Sequence, residues 1–418
     1  MATEDVRYRE SSQFRLWSFS HSQLAAMREN TNAKAVASIS ERLSSLGATV
    51  PPSSIPMDIS APTSTANTPD PEGGGGTPRL PEFLSPADEA TMVTFYTAEL
   101  MRAGAHAEFS DEIIATAATL FRRFYVTNSI MTYPPQEMLV VALFFGCKAE
   151  GAFPRITDFL KTFGRERPEE ILAGEFLLFR GIRFSIDVKH PFRALRGAVM
   201  ELRSLGDIEE TRIEAAERRA KDILRFSPLI TDAYFHYTPS QIMMAALSLA
   251  DRSLAERLIQ ATFHHVNVPE ISGTNSGADT PNPTTTNTKE TNKSEDNKAF
   301  IIGSYVRDKV LGTIESCRDM LSKELPERKE HWANRAVYKA QVVPLKKKLN
   351  KCHDPDRWNL VELQKVRREQ ALSSTKKLDG SEDESAALKD DGAVFGSEAK
   401  RRKVSGNKKL EDPFGGPL

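Results

Sequence analysis

The stretch YPPQEMLVVALFFGCK, from Tyr133 to Lys148, recurs 104 positions later as YTPSQIMMAALSLADR from Tyr237, and the two copies align without a gap. In that register Leu120 repeats as Leu224, Thr127 as Thr231, Tyr133 as Tyr237, Pro135 as Pro239, Ala142 as Ala246 and Leu143 as Leu247. The Tyr, Thr and Pro matches are not apolar filler, so the register points to duplication of one unit of about 100 residues, an ordinary domain size. The repeated stretch also restricts the fold. Pro134 and Pro135 suit a helix start, where no backbone donor is needed, and Met138, Leu139, Val140, Val141, Leu143, Phe144 and Phe145 make the helix apolar all round. Such a helix must be covered on every side. At about a dozen apolar residues it is too short to cross a bilayer, which needs ~20, so other helices must cover it and an all-α fold is expected.

The flanking sequence supplies those helices. Ser85-Pro86-Ala87-Asp88-Glu89 starts a first helix with an apolar face through Met92, Phe95, Tyr96 and Leu100, which Gly104 is expected to end. Ser110-Asp111-Glu112 starts a second that runs through Phe124, and the core helix is the third. A fourth is expected from Pro154 to about Lys161, and a fifth from Pro168 to about Ile182, with Glu169 and Glu170 placed well for the helix dipole. Five helices form the unit at 85–187. The second unit, 188–326, repeats it, with Thr238 as N-cap and Pro239 at the first helical position. It is interrupted at 267–298 by a polar insertion expected to be disordered. Residues 1–47 read as an N-terminal helical extension carrying Trp17 and Phe19, with Ser20 as N-cap. Their aromatic character implies docking on the folded body. Residues 48–84 read as a disordered linker, 327–372 as one or two long C-terminal helices, and 373–418 as a disordered tail.

Composition excludes several functions. Cys147, Cys317 and Cys352 are too scattered for a disulfide framework or a zinc site, no CxxC occurs, and the N-terminus MATEDVRYRESSQ has no signal-type apolar core. A soluble, intracellular chain is expected. The Gly73–Gly76 run lacks a following Gly-Lys-Ser or Gly-Lys-Thr, so it is a linker and not a phosphate loop. His264-His265, His190, His236 and Cys352-His353-Asp354 are the only suggestive polar groupings, and neighbours along a helix face different ways. No catalytic residue, metal or cofactor is therefore expected. Lys148, at the end of the third helix, and Glu175, in an apolar part of the fifth, are charges that need partners. Each could be the other's partner, or both could meet a second protein.

The third helix followed by Lys148-Ala149-Glu150, and the fifth helix containing Glu175, resemble the first cyclin box of the cyclin family, whose members carry two such five-helix repeats. FRRFYVTNSIMTYPP (121–135), ILAGEFLLFRGIRFSIDVKHPFRA (171–194) and LITDAYFHYTPSQI (229–242) resemble in particular the cyclins of CDK-activating kinases. SSQFRLWSFS (11–20) and LKKKLNKCH (345–353) are similar to their terminal helices, so the likeness covers 8–47 and 85–355. It implies two tandem cyclin boxes flanked by N- and C-terminal helices. It also implies a non-catalytic regulatory subunit that activates a cyclin-dependent kinase in the TFIIH kinase module. That module serves phosphorylation of the RNA polymerase II C-terminal domain, transcription and cell-cycle control in the nucleus. The implied partners are the kinase, a third assembly subunit and, through the complex, the TFIIH core, with no direct nucleic acid and no membrane.

In cyclins the matching Lys and Glu face the kinase and bond the backbone around its αC helix, so the resemblance assigns that role to Lys148 and Glu175. Phe144, Phe153 and Phe179 are expected to supply apolar area nearby. Lys400, Arg401, Arg402 and Lys403 read as a nuclear import signal. Two departures stand out. Arg122 occupies the position where cell-cycle cyclins place an Asp ahead of Arg-Phe, so that internal salt bridge is expected to be absent. Met101-Arg102-Ala103 is similar to the substrate-docking motif of those cyclins but falls at the end of the first helix, and no docking patch of that kind is expected. The alternative is a nucleic-acid-binding transcription factor of the IIB type, which uses the same double repeat. The missing CxxC and a net charge of -1 weigh against it.

Overall fold

The computed structural model describes residues 4–49, 80–264 and 307–378, and the regular elements among them are helices. The N-terminal extension forms α1 (Glu4–Glu10), α2 (Ser12–Trp17) and α3 (His21–Thr49). The first repeat contains α4 (Pro86–His106), α5 (Asp111–Thr127), α6 (Pro135–Ala149), α7 (Ile156–Thr162) and α8 (Pro168–Gly181). The second contains α9 (Phe192–Ser204), α10 (Glu210–Leu224), α11 (Ser227–Ile230), α12 (Ala233–His236), α13 (Pro239–Ala250), α14 (Arg252–His264) and α15 (307–322). Beyond a 3₁₀ turn at Pro326–Arg328 come α16 (Lys329–Ala333), α17 (Arg335–Val337), a π-helical turn at Tyr338–Val342, α18 (Val343–Cys352) and α19 (Leu360–Leu378). The chain divides into two units after Arg367. Most of the expected linker, the 267–298 insertion, the tail beyond Leu378 and the 400–403 cluster lie outside the described residues.

The apolar helix of the sequence is α6, and it is the centre of the first repeat. Met138, Ala142 and Leu143 are fully buried, and Val141, Phe144 and Cys147 nearly so. Its cover comes from α4, α5 and α8. Two of the covering helices, α4 and α5, start at serine caps that satisfy free N–H groups, and α8 starts with Pro168. The Ser85 side chain accepts from Asp88 N–H while Asp88 accepts from Ser85 N–H, and Ser110 accepts from Ile113 N–H. Gly104 does not end α4, which continues to His106. A Cβ there would lie 2.8 Å from Ile114 Cγ1, so this glycine serves the close approach of α4 to α5. Gly181 plays the same part at the end of α8, where a Cβ would lie 2.4 Å from the Phe124 ring. Gly181→Ala is therefore expected to lower stability by about 1–3 kcal/mol through overpacking, measurable by denaturant unfolding.

The second repeat reproduces this plan with one break. Tyr133 and Tyr237 are both buried, and Pro135 and Pro239 both open the core helices α6 and α13. Phe124, inside α5, corresponds in register to Pro228. Proline lacks the N–H that a continuing helix needs, so the second copy is divided there into α10 and the single turn α11.

The extension docks as its aromatic residues imply. Trp17 is fully buried, and Phe19 N–H donates to Phe235 O at 2.8 Å while its own carbonyl lies 2.8 Å from His236 Nδ1. Ser20 is the N-cap, exchanging hydrogen bonds with Gln23. Arg28 of α3 forms a bidentate pair with Asp232 at 2.9 and 2.7 Å, and Arg122 of α5 reaches the same carboxylate at 2.7 Å. The Asp expected to be missing beside Arg-Phe is missing, but Arg122 is not unpaired: its anion comes from the second repeat. Arg123 is 1% exposed. It donates to the carbonyls of Ser185 and Asp187, and its guanidinium lies 5.4 Å from the Trp17 ring centre. Burial pushes its pKa down to about 10.

The repeats are also joined through His190. Thr116 donates to Glu150 Oε1 at 2.5 Å, so it must accept from His190 Nε2 at 2.7 Å, which leaves Nδ1 to accept from the Tyr234 hydroxyl at 2.8 Å. A neutral imidazole satisfies this wiring, and burial, with the Arg123 charge beside it, favours that form by pushing its pKa down to about 3. Between that value and the ordinary 6.5 the unfolded chain holds a proton that the folded chain does not. Stability from this site is therefore complete above pH 6.5 and is lost as pH falls towards 3, at up to about 1.4 kcal/mol per pH unit. His190→Asn should lower the melting temperature at pH 7 and flatten its decline on acidification.

The C-terminal region holds two long helical stretches, as its sequence suggests: one runs without a break from 335 to 352 through the π-helical turn, and α19 follows it. Asn334 caps the first at α17, Pro344 removes a backbone donor immediately after the π-helical turn, and Asp354-Pro355 stops α18 before α19. Asp354 is 1% exposed. It pairs with Arg42 of α3, and its N–H donates to Met131 O at 2.8 Å.

Candidate binding face

Lys148 lies in the last turn of α6 and Glu175 in the middle of α8, and the packing of these two helices brings them together. Lys148 Nζ lies 2.5 Å from Glu175 Oε1, with the side chains 31% and 20% exposed. The internal pairing that the sequence left as an alternative is present. The pair is not sealed in the core, so both groups remain partly open to solvent. The ammonium also lies 4.6 Å from the centre of the Phe144 ring. Phe144 is buried and packs against Phe159. It can support Lys148 but cannot itself offer surface, unlike the expectation from sequence.

The surrounding surface carries several large exposed apolar side chains. Along α8, Ile171, Ala173, Gly174, Leu177 and Leu178 face inwards. Leu172 and Phe176 face outwards, 42% and 61% exposed. Phe153, in the loop after α6, is 77% exposed. Phe179 is half-buried, with its ring centre 5.7 Å from that of Phe145 and 4.8 Å from that of Phe184. Sequence reasoning named Phe153 and Phe179 but missed Leu172, Phe176 and Phe184. The signal was there: FLLF in EFLLFRGI supplies more apolar residues than one buried helix face can absorb.

The turn after α8 is strained in a way that serves this face. Arg183 and Phe184 have φ of 56° and 57°, a left-handed conformation that costs a non-glycine residue about 1–3 kcal/mol. The turn sends Arg183 towards the extension, with its guanidinium 5.1 Å from the Trp17 ring centre and a bond to Leu16 O at 3.3 Å. It leaves Phe184 59% exposed. Asparagine tolerates this backbone better than phenylalanine.

The three cysteines are separately buried, and burial pushes the thiols of Cys147 and Cys317 up to about 11 and 12. Such thiols stay protonated and unreactive. His236 stacks on His21 at 3.9 Å, and among the described residues no group of three His, Cys, Asp or Glu side chains is placed to hold a metal. No described helix is long and apolar enough to cross a membrane.

Two tandem helical repeats, the first of five helices and the second on the same plan with the single turns α11 and α12 added, bear a partly exposed Lys–Glu pair in an apolar surface and define the chain as a cyclin-type protein. Residues 84–187 match the family "Cyclin, N-terminal domain" and residues 190–322 the "Cyclin C-terminal domain". A chain in the solved CAK complex of Chaetomium thermophilum, bound to ATP-gamma-S, is 62% identical, with a TM-score of 0.72 over 92% of this chain and 100% of that one. This protein belongs to the cyclin family. Among curated relatives, cyclin CCL1 of Saccharomyces cerevisiae is 29% identical over 263 residues, a match spanning 62% of this chain and 62% of that protein. Cyclin mcs2 of Schizosaccharomyces pombe is 25% identical over 63% of this chain and 74% of its own length. A chain of the yeast TFIIK (Kin28/Ccl1/Tfb3) complex, 22% identical with a TM-score of 0.50 over 75% of this chain and 100% of that one, shares the fold.

Proposed function

We propose that this cyclin is the regulatory subunit of a CDK-activating kinase of the TFIIH type, and that it holds the kinase through the α6–α8 face. The observation that carries this reading is the exposed set Phe153, Leu172, Phe176 and Phe184 around the Lys148–Glu175 pair. Exposed large apolar residues gathered in one patch mark an interaction surface. A hydrogen-bonded charge pair inside it fixes register, because each charge can also bond a backbone group of the partner.

The mechanism follows from the kinase's own requirement. Catalysis needs the αC Glu paired with the Lys that holds the ATP phosphates, and an unpartnered kinase of this class leaves αC swung out. A cyclin that binds only the inward position draws the population towards it, by no more than its differential affinity for the two positions. The cyclin itself contributes no catalytic group. It acts with the kinase and a third assembly subunit on transcription in the nucleus, without direct contact to nucleic acid. The 400–403 cluster serves import in this reading, and neutralising all four residues should shift a tagged, partner-free protein towards the cytoplasm.

Phe184→Asn separates surface from scaffold. The substitution relieves a left-handed phenylalanine and gives up one ring contact, so stability should stay within about 1 kcal/mol of the parent. Kinase binding should weaken about tenfold or more, because a desolvated aromatic anchor is lost. A titration on the purified kinase, beside a melting curve, reads both. Unchanged affinity would remove Phe184 from the interface.

A further inference from the structure

A second candidate surface lies where the two repeats meet the C-terminal region. There a groove of about 440 Å³ opens between the end of α4, the start of α5, the turn after α10, and α16. This volume is within the range of sites that take a ligand. Its floor is apolar, from Met101, Ile114, Phe226 and Trp332. Its rim is cationic. Arg102, Arg225 and Lys329 stand there against one carboxylate, Asp111. That carboxylate is already held by Arg225 at 2.8 and 2.7 Å, Arg225 also pairs with Asp222 at 3.6 Å, and Arg102 pairs with Glu99 of its own helix. Lys329 is exposed, with its ammonium 5.7 Å from the Phe226 ring centre, and no ion pair joins it to a described residue.

We infer that this groove docks a short acidic segment of a partner protein, with one bulky apolar side chain seated between Phe226 and Trp332 and a carboxylate meeting Lys329. The chemistry is complementary on both counts: an apolar anchor fills the floor, and an acidic flank answers Lys329, the rim cation that no ion pair neutralises among the described residues. The site belongs to α4, α5, α16 and the turn after α10, and uses no residue of α8, so it stands apart from the proposed kinase face. It includes Met101 and Arg102 of the Met101-Arg102-Ala103 triplet, but at the C-terminal end of α4 and with a rim suited to acidic peptides.

The test uses the full-length chain and two fluorescein-labelled nine-residue peptide pools. Each pool has Phe or Leu at the centre, flanked by Asp and Glu in one and by Lys and Arg in the other. Anisotropy should detect binding of the acidic pool and none of the basic pool. Ala105→Trp, which plugs the groove from an exposed position, and Lys329→Glu, which reverses the rim, should each weaken binding at least tenfold while kinase activation stays as in the parent. Equal binding of the two pools would overturn the inference. So would acidic binding that survives both substitutions, which would place the peptides on other basic surface such as the α18 lysines.

Discussion

Asp232→Ala is expected to cost about 3–5 kcal/mol of stability, the largest effect of any single polar substitution considered, because it strands a buried charge. Asp232 holds Arg28 and Arg122 at once. Arg28 is 26% exposed and can turn to water, whereas the Arg122 side chain is 7% exposed and already has one Nη without a partner. Burial would raise the Asp232 carboxyl, but the hydrogen bonds from Arg28 and the charges of both arginines outweigh it and hold the pKa well below the usual carboxylate range. Its contribution is therefore complete above the ordinary carboxylate pKa and is lost progressively as pH falls from there through the depressed value. Asp232→Ala should also loosen the N-terminal extension, read as faster proteolysis between α3 and α4. Adding Arg122→Leu should recover part of the loss, since an apolar replacement of a buried pair is often tolerated. A double variant no more stable than Asp232→Ala alone would show that the stranded guanidinium is not the cause.

Most of the architecture was legible because it follows from local rules. The all-apolar α6 demanded helical cover, the Ser caps and N1 prolines marked where that cover starts, and the repeat register located the second core helix. What could not be read depended on distant partners. Nothing in FRRF indicates that Arg122 finds its anion 110 residues away, or that Arg123 rests on Trp17 and two carbonyls. Gly104 resembled a helix stop, yet its role is set by Ile114 across the helix pair. Long C-terminal helices were expected from a run of apolar positions and are present at 335–352 and 360–378, but the π-helical turn at Tyr338–Val342 inside the first could not be read from that run. Lys148 and Glu175 read from sequence as charges needing partners, and each has the other as one. Treating internal pairing and kinase contact as exclusive was too sharp, since a pair exposed by a fifth to a third can do both.

That pairing changes what separates the two roles, which is now magnitude. A partly exposed ion pair contributes up to about 1 kcal/mol to stability, so Lys148→Ala and Glu175→Ala should each lower the melting temperature by only a few degrees. Truncating one member of a charge contact that becomes desolvated on binding costs about 2–5 kcal/mol, much of it from stranding the other. The four proteins of this double-mutant cycle, titrated against the purified kinase with melting curves on the same samples, test the central claim most directly. The account predicts four folded proteins, with kinase affinity about 30-fold or more weaker in each single variant and activation weaker in step. Two folded single variants that bind and activate the kinase as the parent does would contradict it.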